Sequence, residues 1–338
     1  MSELRTTAKA LVAPGKGILA ADESTGTIGK RFASINVANE EPNRRAYREM
    51  LFTTNGFAEF ISGVILYDET IHQSSSQGVP FVEVLSTQGV IPGIKVDTGT
   101  KPLALADGEV LTEGLDGLRE RLVKYRELGA RFAKWRAVIT IGNDIPSQYC
   151  IDANAQALAR YAALCQEEGI VPIVEPEVLM DGDHDIERCL LVTGRTLQSV
   201  FNELLNSRVE LDGILLKPNM VLSGKDCPTQ ASAEQVAEST IRCFRHVVPA
   251  AVPGIVFLSG GQADEVATAN LNAMNNLGPQ PWELSFSYGR ALQAPAIKAW
   301  KGEESNLAAG QAAFHHRAKC NGAARSGTYT ATAEPSFR

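Results

Sequence analysis

Long apolar runs are missing from this chain of 338 residues. No stretch of about 18 consecutive apolar residues occurs, and the first residues lack the sustained apolar segment of a signal peptide, so we expect neither a membrane span nor a secretory leader. The six cysteines are scattered without CxxC spacing, which is typical of reduced thiols in the cytoplasm. The sequence therefore predicts a cytoplasmic protein with no membrane partner.

Signatures of metal and nucleic-acid binding are also scarce. The five histidines form no HExxH or similar pattern, and the adjacent pair His315 and His316 is interpreted as a polar helix surface. A net charge of -7 argues against a general nucleic-acid-binding surface. We expect no metal, no cofactor and no nucleic-acid partner. Hydrophobic residues at 44% and charged residues at 21% describe a globular chain with an ample core.

The chain does contain a series of eight short apolar runs that resemble strands. Each is separated from the next by about 30 to 40 residues, enough to return through a helix as a parallel connection requires. Several intervening segments have helical periodicity. The runs lie at 17–22, 60–68, 91–97, 132–139, 170–178, 213–219, 254–261 and 283–290, and the helical segments at 115–127, 154–168, 185–205 and 232–246.

This alternation predicts the α/β class and a (β/α)8 TIM barrel preceded by an N-terminal helix. The alternative is an open, doubly wound sheet, but no GxGxxG motif follows the first run. We expect a single barrel domain over residues 1–321. From residue 322 the sequence becomes small and polar, so residues 322–338 are predicted to form a mobile C-terminal tail.

One run places Lys217 at its carboxyl end, directly before Pro218, which stops the strand. Burial deprives an ammonium group of hydration and lowers the pKa of a lysine, which makes its neutral, nucleophilic form more available. For an isolated strand, the alternative is a lysine that extends from the strand end into solvent. Active sites of TIM barrels lie at the carboxyl ends of the strands, which favours a functional role.

Two other runs carry charges of both signs near the same end of the predicted barrel. Lys134 and Arg136 share a strand parity, so both should face the barrel mouth, and Glu175 and Glu177 repeat the arrangement on the next run. The alternative is an interior network of ion pairs without function. Because removing so many charged groups from water is costly, a functional site explains the cluster better than a purely structural network does. Carboxylates beside an amine can move protons during imine formation.

Small residues and one arginine follow the last two runs, where TIM barrels commonly hold phosphate. Glycines let backbone amides approach an anion, and an arginine adds a fixed positive charge. A second anion site is suggested after the first run, although those residues could simply cap a helix. The first set is Ser259, Gly260, Gly261, Ser287, Gly289 and Arg290, and the second is Ser24, Thr27 and Arg31 with Lys95.

Two phosphate sites on either side of an amine nucleophile indicate a phosphorylated carbonyl compound as substrate. The imine formed with the amine is an electron sink, so a neighbouring carbon-carbon bond can break and leave an enamine. The residues therefore predict aldol chemistry on a small sugar phosphate.

The motifs closely resemble those of class I fructose-1,6-bisphosphate aldolases. The resemblance runs in order from about residue 10 to residue 325. It rests on GILAADEST at 17–25, GIKVDTG at 93–99, AKWRAV at 133–138, PIVEPEVLMDGDHD at 172–185, LLKPNM at 215–220, FLSGGQ at 257–262 and SFSYGRALQ at 285–293.

The resemblance implies that Lys217 forms the Schiff base with fructose 1,6-bisphosphate. It implies that Glu175 is the acid/base, with Glu177 and Lys134 beside it, and that Asp22 positions the hydroxyl at the bond to be broken. The expected products are dihydroxyacetone phosphate and glyceraldehyde 3-phosphate, and the reverse direction is the condensation used in gluconeogenesis. The family is typically a cytoplasmic homotetramer that uses no metal.

The two anion sites match the family's phosphate-binding residues, and Arg136 is assigned to substrate binding. Two departures stand out. Many animal members end in a tyrosine that helps protonate the enamine, whereas this chain ends in Arg338 and its last tyrosine is Tyr329. Thr27 and Thr98 stand where many relatives have serine and lysine. Two alternatives remain: another Schiff-base aldolase or transaldolase, and a non-catalytic sugar-phosphate-binding barrel.

Overall fold

The computed structural model describes residues 2–334, in which ten strands and twelve α-helices occur. Eight strands are parallel and close into a barrel in the order β1-β10-β9-β8-β7-β6-β3-β2. Each lies within one of the eight predicted runs, so the TIM-barrel prediction is confirmed and the open sheet is wrong. The barrel strands are β1 (Gly17–Ala21), β2 (Ile61–Leu66), β3 (Ile91–Lys95), β6 (Phe132–Ile139), β7 (Val171–Val178), β8 (Leu215–Leu216), β9 (Gly254–Phe257) and β10 (Glu283–Tyr288).

Helices surround this barrel, as the alternating pattern predicted. The structure begins α7 six residues before the predicted segment, and the other three predicted helices agree to within about three residues at each end. The helices are α1 (Glu3–Leu11), α2 (Thr25–Ala33), α3 (Glu41–Phe52), α4 (Asp68–Ile71), α5 (Phe81–Ser86), α6 (Leu118–Glu127), α7 (Gln148–Glu167), α8 (Ile186–Asn206), α9 (Ala233–Val247), α10 (Asp264–Asn275), α11 (Arg290–Trp300) and α12 (Leu307–Arg325).

The core has two parts because barrel side chains alternate between the interior and the helix layer. The larger cluster packs the outward faces of the strands against the helices. The smaller one contains inward residues such as Phe132 and Ile173, together with Leu11 and Val12 at the end of α1. This first helix therefore covers the amino-terminal end of the barrel and leaves the carboxyl end free for chemistry.

A short antiparallel hairpin of β4 (Gly99–Pro102) and β5 (Val110–Glu113) lies outside the barrel sheet. It was not predicted, because its strands are only four residues long and show no clear alternation of apolar and polar residues. Thr112 of β5 donates a hydrogen bond to the carbonyl oxygen of Arg136 at 2.7 Å. The hairpin is thereby attached to β6 close to its charged residues.

The predicted start of the tail at residue 322 is wrong. Helix α12 continues to Arg325, whose side chain is buried, and Tyr329 is buried further along. The small residues in this segment were interpreted as a tail, but Gly322 and Ala324 pack closely in the core. A larger side chain would not fit at Gly322. Mobility beyond the helix stays a prediction, and residues 335–338 of that tail lie outside the described residues.

Within residues 2–334, none of the helices combines the length and the apolar character that crossing a membrane requires.

Candidate active site

Strand alternation places the charged residues of β6 and β7 inside the barrel. Trp135 points outward and packs on Tyr161 of α7, so Lys134 and Arg136 on either side of it point inward. Glu175 and Glu177 do the same on the adjacent strand. The predicted parity is confirmed, and these side chains reach one cavity at the carboxyl end of the barrel.

Four charged side chains form an alternating chain across this cavity. Lys217 Nζ lies 3.2 Å from Glu175 Oε1, and the other oxygen, Glu175 Oε2, lies 3.3 Å from Lys134 Nζ. Lys134 Nζ is also 2.7 Å from Asp22 Oδ2, which follows β1. Side-chain exposure is 5% for both lysines, 4% for Glu175 and 11% for Asp22. The alternative of a lysine extended into solvent is therefore wrong for Lys217.

The cluster fixes the charge of two of its members. Burial raises the pKa of Asp22, but the charges of Lys134 and Lys217 outweigh it and hold that pKa well below its ordinary value. Burial lowers the pKa of Lys134, but Asp22 and Glu175 outweigh it and raise that pKa well above its ordinary value. Near neutral pH the first is therefore a carboxylate and the second an ammonium ion.

Backbone contacts hold Lys217 in place beside β7. Its amide donates to the carbonyl oxygen of Val174 at 2.8 Å, which continues the parallel ladder one residue past β8. Two residues later, Asn219 Oδ1 accepts a hydrogen bond at 3.0 Å from the amide of Val178 at the end of β7. Asn219 was not predicted as part of the site. Its amide side chain joins the ends of the two strands and so fixes the spacing between Lys217 and Glu175.

The cavity has a volume of about 920 Å³, which suits a small-molecule site. Every predicted site residue lines it, so the structure brings the whole set together. These residues are Asp22, Ser24, Thr27, Arg31, Lys95, Lys134, Arg136, Glu175, Glu177, Lys217, Ser259, Gly260, Gly261, Ser287, Gly289 and Arg290.

One end of the cavity combines a left-handed turn with an unpaired hydroxyl. Gly260, just after β9, has φ +55°, a backbone conformation that residues other than glycine rarely adopt. Ser287 Oγ on β10 is buried and has no hydrogen-bond partner within residues 2–334. Arg290 donates to Asp264 Oδ1 at 2.8 Å, which holds its guanidinium group beside the turn. These features suit an anion whose oxygens accept hydrogen bonds.

A second part of the cavity wall is built on the start of α2, which follows β1, the strand beside β10. Ser24 Oγ accepts from the Thr27 amide at 3.4 Å, so the serine does cap the helix while it faces the cavity. Arg31 contacts Glu23 Oε1, and Arg48 lies 2.6 Å from the other oxygen of that carboxylate. Burial raises the pKa of Glu23, but the two arginines outweigh it and keep that pKa below its ordinary value.

Carboxylates also hold two further cations of the cavity. Lys95 Nζ lies 2.5 Å from Asp97 Oδ1, and Arg136 Nε lies 2.5 Å from Glu177 Oε2. Sequence reasoning did not assign Glu23, Asp97 or the Arg290 partner Asp264 to the site. Only a carboxylate at the end of the third run hinted at Asp97, because the other contacts depend on how the loops close.

Among the described residues, the last tyrosine does not line the cavity. Tyr329 donates from its hydroxyl to Glu334 at 2.9 Å, and its side chain is buried. It is therefore positioned as a structural contact, away from Lys217.

A family model for fructose-bisphosphate aldolase class-I matches residues 3–337 of the sequence. The chain belongs to this family. A probable class 1 fructose-bisphosphate aldolase of Xanthomonas axonopodis pv. citri is 60% identical over 330 residues, which cover 97% of this chain and 99% of the relative. The fructose-bisphosphate aldolase of Dictyostelium discoideum is 58% identical over 331 residues, covering 97% and 93%.

A solved structure of the same family has a very similar fold. It is fructose-bisphosphate aldolase from Plasmodium falciparum, crystallised with TRAP and a small-molecule inhibitor, with a TM-score of 0.96 and 50% identity over 97% of this chain and 95% of that one. This class I aldolase therefore catalyses the reversible cleavage of fructose 1,6-bisphosphate through a lysine Schiff base. Neither alternative, another Schiff-base enzyme or a non-catalytic barrel, is favoured by these similarities.

Proposed function

We propose that Lys217 is the amine that forms the Schiff base in this aldolase. The observation that carries the proposal is the contact between Lys217 Nζ and Glu175 Oε1 in a buried position at the carboxyl end of the barrel. An amine nucleophile needs a neighbour that removes its proton, and a carboxylate at this distance can do so. Lys134 is equally buried, but two carboxylates hold it as a cation.

Glu175 is the proton carrier in this proposal. After Lys217 attacks the ketone carbon of fructose 1,6-bisphosphate, the carbinolamine must lose its hydroxyl as water, which requires an acid. Asp22 is held as a carboxylate and Lys134 as an ammonium ion, so neither exchanges protons easily near neutral pH. Glu175 contacts both lysines and can receive a proton from one nitrogen and donate it to the departing hydroxyl.

Asp22 and the remaining charges would act at the bond to be broken. An ionised Asp22 can accept a hydrogen bond from the substrate hydroxyl and so position it, and the proton of that hydroxyl passes to Glu175, which the dehydration step has left as a carboxylate. The bond then breaks, which releases glyceraldehyde 3-phosphate and leaves an enamine on Lys217. Protonation and hydrolysis then release dihydroxyacetone phosphate. Lys134 would hold the two carboxylates in place, and Glu177 would orient Arg136 toward the substrate through their 2.5 Å contact.

Two parts of the cavity wall would each bind one phosphate of the substrate. The turn after β9 supplies backbone amides, Ser287 supplies a free hydroxyl and Arg290 supplies charge. In the second part, Arg31 and Lys95 supply charge beside the N-terminus of α2. The remaining proposed phosphate contacts are Ser24, Thr27, Ser259, Gly260, Gly261 and Gly289.

The proposal extends to the assembly and location of the enzyme. Two Arabidopsis thaliana relatives that are 57% identical over 333 residues are named cytosolic aldolases, which supports a cytoplasmic location. We also propose that this chain assembles as a homotetramer with a single catalytic domain in each subunit, which the resemblance to the family supports.

Replacing the proposed nucleophile tests the central assignment. Lys217→Met removes the amine while keeping a chain of similar length, and we expect cleavage of fructose 1,6-bisphosphate to fall to background. The matched control is Lys124→Met on the solvent-exposed face of α6, which should cleave at the parental rate. Substantial turnover by a correctly folded Lys217→Met protein would show that another group forms the Schiff base.

A further inference from the structure

A second cluster of reactive side chains lies outside the catalytic cavity, at the end of α12. His316 and Cys320 are four residues apart, so both project from the same face of the helix. The chain then turns back, and Glu334 brings a carboxylate oxygen to the same point. The three potential ligand atoms all lie within 4.8 Å of one another. None of the three residues lines the cavity around Lys217.

The distances within the cluster suit a tetrahedral cation. Bond lengths of about 2.3 Å to sulfur and about 2.0 Å to nitrogen or oxygen place neighbouring ligand atoms about 3.6 Å apart for a sulfur-nitrogen pair and about 3.3 Å apart for a nitrogen-oxygen pair. Cys320 Sγ lies 3.5 Å from His316 Nε2, and His316 Nε2 lies 3.2 Å from Glu334 Oε2. A cation could therefore enter with little movement of the side chains.

The carboxylate is held in the orientation that such a site requires. Its other oxygen, Glu334 Oε1, accepts hydrogen bonds from Arg317 and from the Tyr329 hydroxyl, the latter at 2.9 Å. Glu334 Oε2 is thus left to face the histidine and the cysteine. Outer contacts of this kind orient metal ligands and are a regular part of metal sites.

We propose that His316, Cys320 and Glu334 bind one thiophilic divalent cation, such as Zn²⁺, with water as the fourth ligand. A set of one thiolate, one imidazole and one carboxylate suits a borderline-soft ion better than Mg²⁺ or Ca²⁺. The His316 side chain is 34% exposed, which leaves a path for the cation and room for the water. No sequence pattern indicated this site, because Glu334 is distant along the chain from the helical pair.

Binding of the cation displaces the proton of the Cys320 thiol. The thiol loses this proton as the sulfur-metal bond forms, and the proton passes to solvent. A filled site would connect the last described residues to α12 and is independent of the Schiff-base chemistry.

Titration with Co²⁺ tests the site directly on the full-length protein. The metal-depleted enzyme, kept reduced, should bind one equivalent of Co²⁺ per chain and develop a thiolate-to-cobalt charge-transfer absorption together with the visible bands of tetrahedral cobalt. Zn²⁺ should then displace the cobalt and abolish the colour. A protein that develops no charge-transfer absorption with excess Co²⁺ overturns the proposal.

Single substitutions test whether these three residues are the ligands of the cobalt ion. Cys320→Ser should abolish the charge-transfer absorption, and His316→Gln and Glu334→Gln should each weaken binding at least about tenfold. The control His315→Gln removes the neighbouring imidazole, which packs on Phe60, and should bind cobalt as the parent does.

Circular dichroism checks that each variant is folded. Should Cys320→Ser be unstable, His316→Gln at the partly exposed position gives the same test. Binding that is unchanged in His316→Gln, or equally weakened in His315→Gln, would overturn the assignment.

Discussion

Glu175 contacts the nitrogens of two buried lysines, one with each oxygen. This geometry distinguishes the two lysines, because Lys134 has a second carboxylate, Asp22, whereas Glu175 is the carboxylate in contact with Lys217. The sequence could predict these four residues, since each lies within one of the apolar runs. It could not predict which lysine is doubly paired, because that depends on a contact between Asp22 after β1 and Lys134 on β6, which are not neighbouring strands.

At the residue scale, Glu175→Gln isolates proton transfer. The amide keeps the shape of the side chain but cannot carry a proton between Lys217 and the substrate, so we expect kcat to fall by about 10²- to 10⁴-fold. KM for fructose 1,6-bisphosphate should change much less, because the proposed phosphate contacts are untouched. Steady-state kinetics measure both constants.

Glu120→Gln, on the exposed side of α6, is the matched control and should behave as the parent enzyme. If Glu175→Gln has the parental kcat, another group moves the proton.

At the scale of elements, the carboxyl ends of the strands carry most of the site. The apolar runs and their polar final residues predicted these positions well, because a barrel strand has a recognisable pattern and its active face is fixed by topology. The loops were less predictable. Several groups reach the site through turns whose course depends on tertiary packing, namely Glu23, Asp264 and the β4-β5 hairpin. No local sequence pattern predicts where these turns place their residues.

The turn after β9 provides a test at this scale. Gly260→Ala forces a side chain into left-handed backbone, and its Cβ would lie 3.3 Å from Leu258 Cδ1 in the cavity wall. We expect the free energy of unfolding to drop by about 1 to 2 kcal/mol, and KM for fructose 1,6-bisphosphate to rise because the amides of the turn are displaced. Chemical denaturation and steady-state kinetics measure these effects.

Gly15→Ala is the matched control for this variant. Gly15 has φ +72° and open space around its Cβ position, so it should lose similar stability with an unchanged KM. An equal effect of both substitutions on KM would show that the turn after β9 does not bind the substrate.

At the scale of the whole molecule, barrel closure concentrates opposite charges in a buried centre. The sequence predicted the closed barrel and its polar mouth, but not the end of α12, where small residues pack in the core instead of forming a tail. Helical packing decided that outcome, since composition alone does not distinguish a close-packed helix from a polar tail. The charged centre makes stability depend on pH.

The pH dependence can be measured through Asp22→Asn. Because the folded protein holds the pKa of Asp22 below its ordinary value of 3.8, ionised Asp22 stabilises the fold above that pH, and the contribution is lost as the pH falls toward the folded pKa. We expect Asp22→Asn to cost about 3 kcal/mol at pH 7, where Lys134 loses a buried partner. Urea unfolding between pH 7 and pH 3 should show the difference from the parent shrinking below about pH 4. A difference that stays constant or grows in acid would contradict the charge assignment.

The most direct measurement of the catalytic assignment is borohydride trapping on the parent enzyme. Reduction in the presence of fructose 1,6-bisphosphate should fix a substrate-derived mass on the peptide that contains Lys217, as read by mass spectrometry, and omission of the substrate should leave that peptide unmodified. A trapped mass on Lys134 or another lysine, with Lys217 unmodified, would contradict the proposed mechanism.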